Sequence, residues 1–321
     1  MLSTAEAPLA HRAPAGSPLL TTTVPRGYVH RASVAEVFLT DWKPERIDPS
    51  DPAGSFDSFL VQAQWPRSHA LFAPVAGHQD PLLLVESIRQ TGSLLSHAEY
   101  GVPFGHQFLM WDMSFTAAPS AFEAGSAPTD VELRTVCRDI ARRGDTIAGM
   151  RYEVCVRRDG LVVATGGARF SCTSPAAHRR LREGRPTTTD RALPPPIAPA
   201  AVGHANPRDV VLAAPAAPHE ARWELRVDAG HPVFFDHPVD HVPGMVLIEA
   251  ARQAGRAATR QPRALLLGLR SEFTRYAELD APCWIEAQVD DPDAEDLRVR
   301  VRGVQRGETV FTADLLLRPT V

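Results

Sequence analysis

The chain has 321 residues, 44% of them apolar, enough to bury two cores of ordinary domain size. Its formal net charge of −4 supplies no basic field for nucleic acid, and no stretch reaches the roughly 20 apolar residues needed to cross a bilayer. Cys137, Cys155, Cys172 and Cys283 lack CxxC or Cys/His spacing, so they read as small buried side chains in a reducing cytoplasm, not as a disulfide framework or zinc site.

The first 24 residues are rich in Ala, Pro and Thr and show no signal peptide; residues 1–26 read as a loose tail. "FDSFLVQAQW" (56–65) then alternates like a strand, and "PLLLVESIRQTGSLLSHAEY" (81–100) has helical periodicity. Asp80 before Pro81 makes a good helix start. Long strand-like runs follow: "HQFLMWDMSFTA", "DVELRTVCRDIAR", "TIAGMRYEVCVRR" and "GLVVATGGARFSC". The stretch 175–207 is rich in Pro, Ala and Arg, and Pro194-Pro195-Pro196 favours an extended spacer. Beyond it come "EARWELRV", a helix over 244–259, and four more strand-like runs ending in "ETVFTADLLLR". One helix followed by hairpin-spaced strands, twice over, predicts an α+β chain in which each antiparallel sheet packs on a single helix. The expected divisions are a tail (1–26), a first domain (27–174), a linker (175–207) and a second domain (208–321).

The two halves are related. "HQDPLLLVESIRQTG" (78–92) overlays "HVPGMVLIEAARQAG" (241–255) without a gap, and His, Leu, Glu, Arg, Gln and Gly coincide at six of fifteen positions. Composition alone would give about one coincidence, so the pattern is an internal duplication centred on the helix.

Both helices carry Glu, Arg and Gln on one face: Glu86, Arg89 and Gln90, and Glu249, Arg252 and Gln253. Such a pair can be a structural ion pair. Apolar neighbours are also expected to raise the pKa of the glutamate, which would suit a general base. Gly244 opens the second helix, where free N–H groups can hold an oxyanion, although Pro-Gly can equally be only a turn. His231, His237 and His241 with Asp236 and Asp240 fit no usual zinc spacing, so no metal and no other cofactor is expected; a histidine beside the glutamate as acid/base partner, or a loop-packing histidine, remains.

Between His237 and Gln253 the chain resembles the β-hydroxyacyl carrier-protein dehydratases of the hotdog fold, in which a sheet wraps one long helix. There a loop histidine, here His237 or His241, and a helix glutamate, here Glu249, serve the site. A closer resemblance is to the A-factor synthase family of γ-butyrolactone autoregulator enzymes. "VHRASVAEVFLTDW" (29–42), "DPLLLVESIRQTGSLLSHAEYGVPFGHQFLMWDM" (80–113), "NPRDVVLA" (206–213) and "FFDHPVDHVPGMVLIEAARQA" (234–254) carry it. That resemblance implies tandem hotdog domains and transfer of a β-ketoacyl group from acyl carrier protein, or CoA, to the hydroxyl of dihydroxyacetone phosphate. The ester would close to a butenolide that other enzymes reduce to a signalling lactone.

On that reading Glu249 or Glu86 is the general base, helped by His237 or His241. The N-terminus at Gly244 holds the oxyanion; Arg252, Arg89, Gln253 and Gln90 bind the acceptor. Hotdog sites form where two units meet, and both halves keep the triplet, so up to two composite sites are expected within the chain, the second favoured for its Pro-Gly corner and histidines. A hotdog thioesterase, a dehydratase and a non-catalytic acyl-binding regulator are the alternatives. Hotdog units usually pair, which a tandem chain meets internally, and a homodimer stays open. No nucleic acid or membrane partner is expected.

Overall fold

The computed structural model describes residues 22–45, 57–144, 146–186, 191–215, 217 and 220–320. In the first half β1 (Leu39–Pro44) and β2 (Asp57–Trp65) precede helix α1 (Leu82–Ala98), followed by β3 (Gln107–Ala117), β4 (Thr129–Arg143), β5 (Thr146–Arg158) and β6 (Leu161–Thr173). A short helix α2 (Pro175–Leu181) leads into the second half. There β7 (Arg222–Glu224) and α3 (Gly244–Thr259) are followed by β8 (Leu265–Phe273), β9 (Cys283–Val289), β10 (Leu297–Gln305) and β11 (Glu308–Arg318).

All eleven strands join one antiparallel sheet in the order β1-β2-β4-β5-β6-β3-β8-β11-β10-β9-β7. Read outward from the β3–β8 seam, the halves repeat the same order: β6, β5, β4, β2 on one side and β11, β10, β9, β7 on the other. At the seam Asp112 to Thr116 pair with Glu272 to Gly268, so each half covers an edge the other would leave exposed. β1 lies outside the strands expected from alternation; it pairs with β2 through a register shift between Leu39 and Asp41 that breaks the period-2 pattern.

Local sequence explains the layers. In β10 Leu297, Val299 and Val301 are buried while the arginines between them face outward, a period of two. α1 is buried around nearly its whole circumference, with Leu82, Leu83, Leu84 and Val85 each at most 1% exposed. Such a helix is stable only when wrapped, and the six strands of its half wrap it. The recurring helix glycines serve this closeness: a Cβ on Gly92 would stand 2.8 Å from the Tyr152 ring, and one on Gly255 3.0 Å from Leu315 and Leu317.

Residues 1–21 of the expected tail lie outside the described residues; in the remainder Val24 is packed, 3% exposed and donating its N–H to Leu39 O. The stretch 175–207 is more than a spacer. Arg182, just past α2, is buried; its guanidinium donates to both oxygens of Glu278 at 2.8 and 2.7 Å and to Asp240. Val202 is fully buried, and Pro195 accepts from Ala214 N. Poor in large apolar residues, this stretch docks through Arg182, backbone hydrogen bonds and the few apolar side chains it has, Val202 among them. No helix among the described residues is long and apolar enough to cross a membrane.

Candidate active site

The two helix glutamates do not sit as free bases. Glu86 is 1% exposed and accepts from Arg31 Nε at 3.0 Å, Arg89 Nε at 2.9 Å, Arg89 Nη2 at 2.7 Å and Gln90 Nε2 at 2.7 Å. Glu249 is fully buried: His204 Nε2 and Gln253 Nε2 each lie 2.7 Å from Oε1, and Arg252 Nη2 lies 2.7 Å from Oε2. Burial would raise both pKa values, as the apolar setting led us to expect. The guanidinium charges, with hydrogen bonds from neighbouring side chains, outweigh it and hold each carboxyl down at about 2. Both are therefore ionised anchors, and the expectation of a raised, proton-accepting glutamate is corrected.

The glutamines are anchors too. Gln90 accepts from Phe38 N and donates to Glu36 O; Gln253 accepts from Val211 N and donates to Asp209 O. Each ties its helix to the segment that precedes the first strand layer of its half. This need to satisfy buried backbone groups explains the recurrence of Gln without any contact to substrate.

A cavity of about 440 Å³ opens between the halves, a volume suited to a small ligand. Of the expected site residues, Arg89, His237, His241 and Gly244 line it; Glu86, Gln90, Glu249, Arg252 and Gln253 do not. Glu249 is fully buried and does not join the Pro-Gly corner of its own helix in lining this cavity. Instead the α1 face of the first half meets the loop and N-terminus of α3 from the second. Phe108, Met113 and Phe170 make one apolar wall, Leu247 and Ile248 the other, and Leu181 of α2 lies over them.

The start of α3 faces this space. Val246 and Leu247 N–H donate to Pro243 O, while Gly244 and Met245 N–H have no partner among the described residues. Close by, His241 Nδ1 is 2.7 Å from Asp240 Oδ1. Asp240 is held well below the ordinary carboxylate range, first by His241 and then by Arg182, against the effect of burial. An ionised carboxylate only accepts, so His241 carries its proton on Nδ1 and a neutral ring leaves a lone pair on Nε2. His237 is more open, with a 43% exposed side chain and a long 3.5 Å contact to Asp236. Asp236 accepts from Ala32 and Ser33 N–H, pinning the segment after Arg31 onto the loop of the other half.

Sequence reasoning assigned no role to His30, Arg31, His97 or Arg182. His30 and Arg31 line the cavity. His97 Nδ1 donates to Val102 O at 2.6 Å, so its Nε2 accepts from His30 Nε2 at 2.7 Å and His30 Nδ1 is left bare. Burial, then Arg89 and His97, lowers the pKa of His30 to about 3, keeping the ring neutral. The signal that could have found His30 and Arg31 is "VHRAS" itself, a polar motif ahead of the first strand. Among the described residues no three His, Cys, Asp or Glu side chains gather as metal ligands.

The sequence model of the A-factor biosynthesis hotdog domain matches residues 13–174 and 186–320. The chain belongs to this family. It is 54% identical over 295 residues to the 2-oxo-3-(phosphooxy)propyl 3-oxoalkanoate synthase of Streptomyces virginiae, covering 91% of this chain and 97% of that protein. The protein of the same name from Streptomyces coelicolor is 39% identical over 297 residues, covering 91% and 90%. Among solved structures, the 12:0-ACP thioesterase from Umbellularia californica aligns at 11% identity and a TM-score of 0.49, covering 81% of this chain and 94% of that one. Family and topology together identify the fold as a tandem hotdog, each sheet wrapped around its own helix.

Proposed function

We propose that the chain moves a β-ketoacyl group from a carrier thioester to the primary hydroxyl of dihydroxyacetone phosphate. The family relatives are named for an ester of a 3-oxo acid with a 2-oxo-3-(phosphooxy)propyl alcohol, the product of that transfer. The observation that carries the reading is the cavity, where helix N–H groups without a partner among the described residues, a bare imidazole nitrogen and two arginines face one another.

The acceptor hydroxyl gives its proton to His241 Nε2 as its oxygen attacks the thioester carbonyl. The tetrahedral oxyanion forms at the N–H groups of Gly244 and Met245. Collapse breaks the C–S bond, and the departing thiolate takes the proton back from the imidazolium. Arg31 supplies charge for the phosphate, and Glu86 fixes the guanidinium planes of Arg31 and Arg89. The acyl chain lies along Phe108, Met113 and Ile248. His237 at the rim is the alternative proton acceptor, without a close carboxylate to fix its tautomer.

The donor is an acyl carrier protein or CoA thioester; Arg179, Arg180 and Arg185 are exposed beside the cavity and suit an acidic carrier. Carrier thioesters and triose phosphates belong to the cytoplasm, and so does this reaction. Incubation of a β-ketoacyl thioester with the chain should release thiol only when dihydroxyacetone phosphate is present. Release at the same rate without the acceptor would refute transfer and leave a thioesterase.

A further inference from the structure

The duplication supplies a second copy of the composite site, built from the α3 face and the start of α1. It is filled. Position by position, Asp80 corresponds to Pro243, Leu82 to Met245 and Arg252 to Arg89. One carboxylate oxygen, Asp80 Oδ1, accepts from Leu82 N–H at 2.8 Å and from Arg252 Nη1 at 2.5 Å. Arg252 is 1% exposed and Asp80 6%, so no ligand reaches this pair. In the open copy Pro243 brings no carboxylate. Met245 N–H is unpartnered among the described residues; Arg89 spends Nε and Nη2 on Glu86 and Val29 O, and no partner for its Nη1 stands among them.

We propose that Asp80 permanently plugs one of the two sites with an internal anion, and that the substrate's oxyanion in the open site takes the equivalent place, bridging Met245 N–H and Arg89. Arg89 is then a second arm of the oxyanion hole, and Arg31 is left to meet the phosphate. A chain has one working site. The catalytic half of this proposal rests on the acyl-transfer reading above; the binding half does not.

Transplanting the plug tests both. Pro243 has φ −58° and ψ 142°, an N-cap backbone that Asp and Asn adopt readily. Pro243→Asp should lower kcat/KM for acyl transfer by 100-fold or more with an unchanged or raised Tm, whereas Pro243→Asn, which also caps the helix but carries no charge, should lose less than 10-fold. Calorimetric titration with acetoacetate, a small β-keto carboxylate, should give one site per wild-type chain and none in Pro243→Asp. Equal losses in the two variants, two acetoacetates per chain, or none in the wild type would overturn the proposal. Binding of one acetoacetate by a wild-type chain that transfers no acyl group would uphold the internal plug while sinking the transferase reading.

Discussion

Replacing Glu249 by Gln separates an anchoring carboxylate from a catalytic one. Its carboxyl is held at about 2 against an ordinary 4.5, so at neutral pH its ionised form stabilises the folded chain by an amount on the order of a few kcal/mol, net of the cost of burial. Removing the charge leaves Arg252 with Asp80 alone in a buried setting, a loss of similar size to that found when one member of a buried pair is deleted, about 3–5 kcal/mol. For a chain of this length that corresponds to a fall in Tm of roughly 5–10 °C. A depressed folded-state pKa means the contribution is present above about pH 4.5 and fades as pH drops toward 2. Urea unfolding at pH 7 and pH 3 should therefore show the gap between wild type and Glu249→Gln shrinking in acid. At a temperature where the variant stays folded, kcat should remain within about threefold of wild type, because Glu249 does not touch the cavity. A Glu249→Gln protein with unchanged stability and abolished turnover would refute this reasoning and restore the glutamate as a base.

His241→Gln should lower kcat by about 10²–10⁴ with a Tm close to wild type, measured by acceptor-dependent thiol release. Asp240→Asn should cost less than His241→Gln, since it frees the tautomer and orientation of the ring and weakens the contact to Arg182 but leaves the imidazole in place. Arg182→Ala removes the bidentate contact to Glu278 and the tether to Asp240, and should raise proteolytic cleavage around α2 as well as KM for the thioester. Gly92→Ala drives a methyl to 2.8 Å from the Tyr152 ring and should destabilise by about 1–3 kcal/mol in chemical unfolding, an effect that Tyr152→Phe, which removes one of the crowding atoms, should soften.

The helices were readable because their information is local: an apolar run, a proline at the start and a repeated register are all present within fifteen residues, although Pro81, not Asp80, stands at the N-cap of α1. The strands were readable for the same reason wherever alternation was clean, as in β10, and not in β1, where a bulge interrupts it. The state of Glu86 was not legible, because Arg31, which helps set its charge, lies 55 positions away in a segment with no regular pattern. Nor could sequence say which half would lend its histidines to which helix; that depends on the β3–β8 pairing, a contact with no local signature. The stretch 175–207 misled through composition: Pro and Arg suggest solvation, but a buried Arg182 forks onto two carboxylates from the other half.

The seam between β3 and β8 also has an evolutionary meaning. Two identical subunits related by symmetry share every substitution, so a carboxylate placed at a helix start would close both sites at once. In a fused pair the substitution falls on one half only. One half can therefore carry Asp80 as a brace while the other keeps Pro243 and stays open, a division of labour that two identical chains cannot hold.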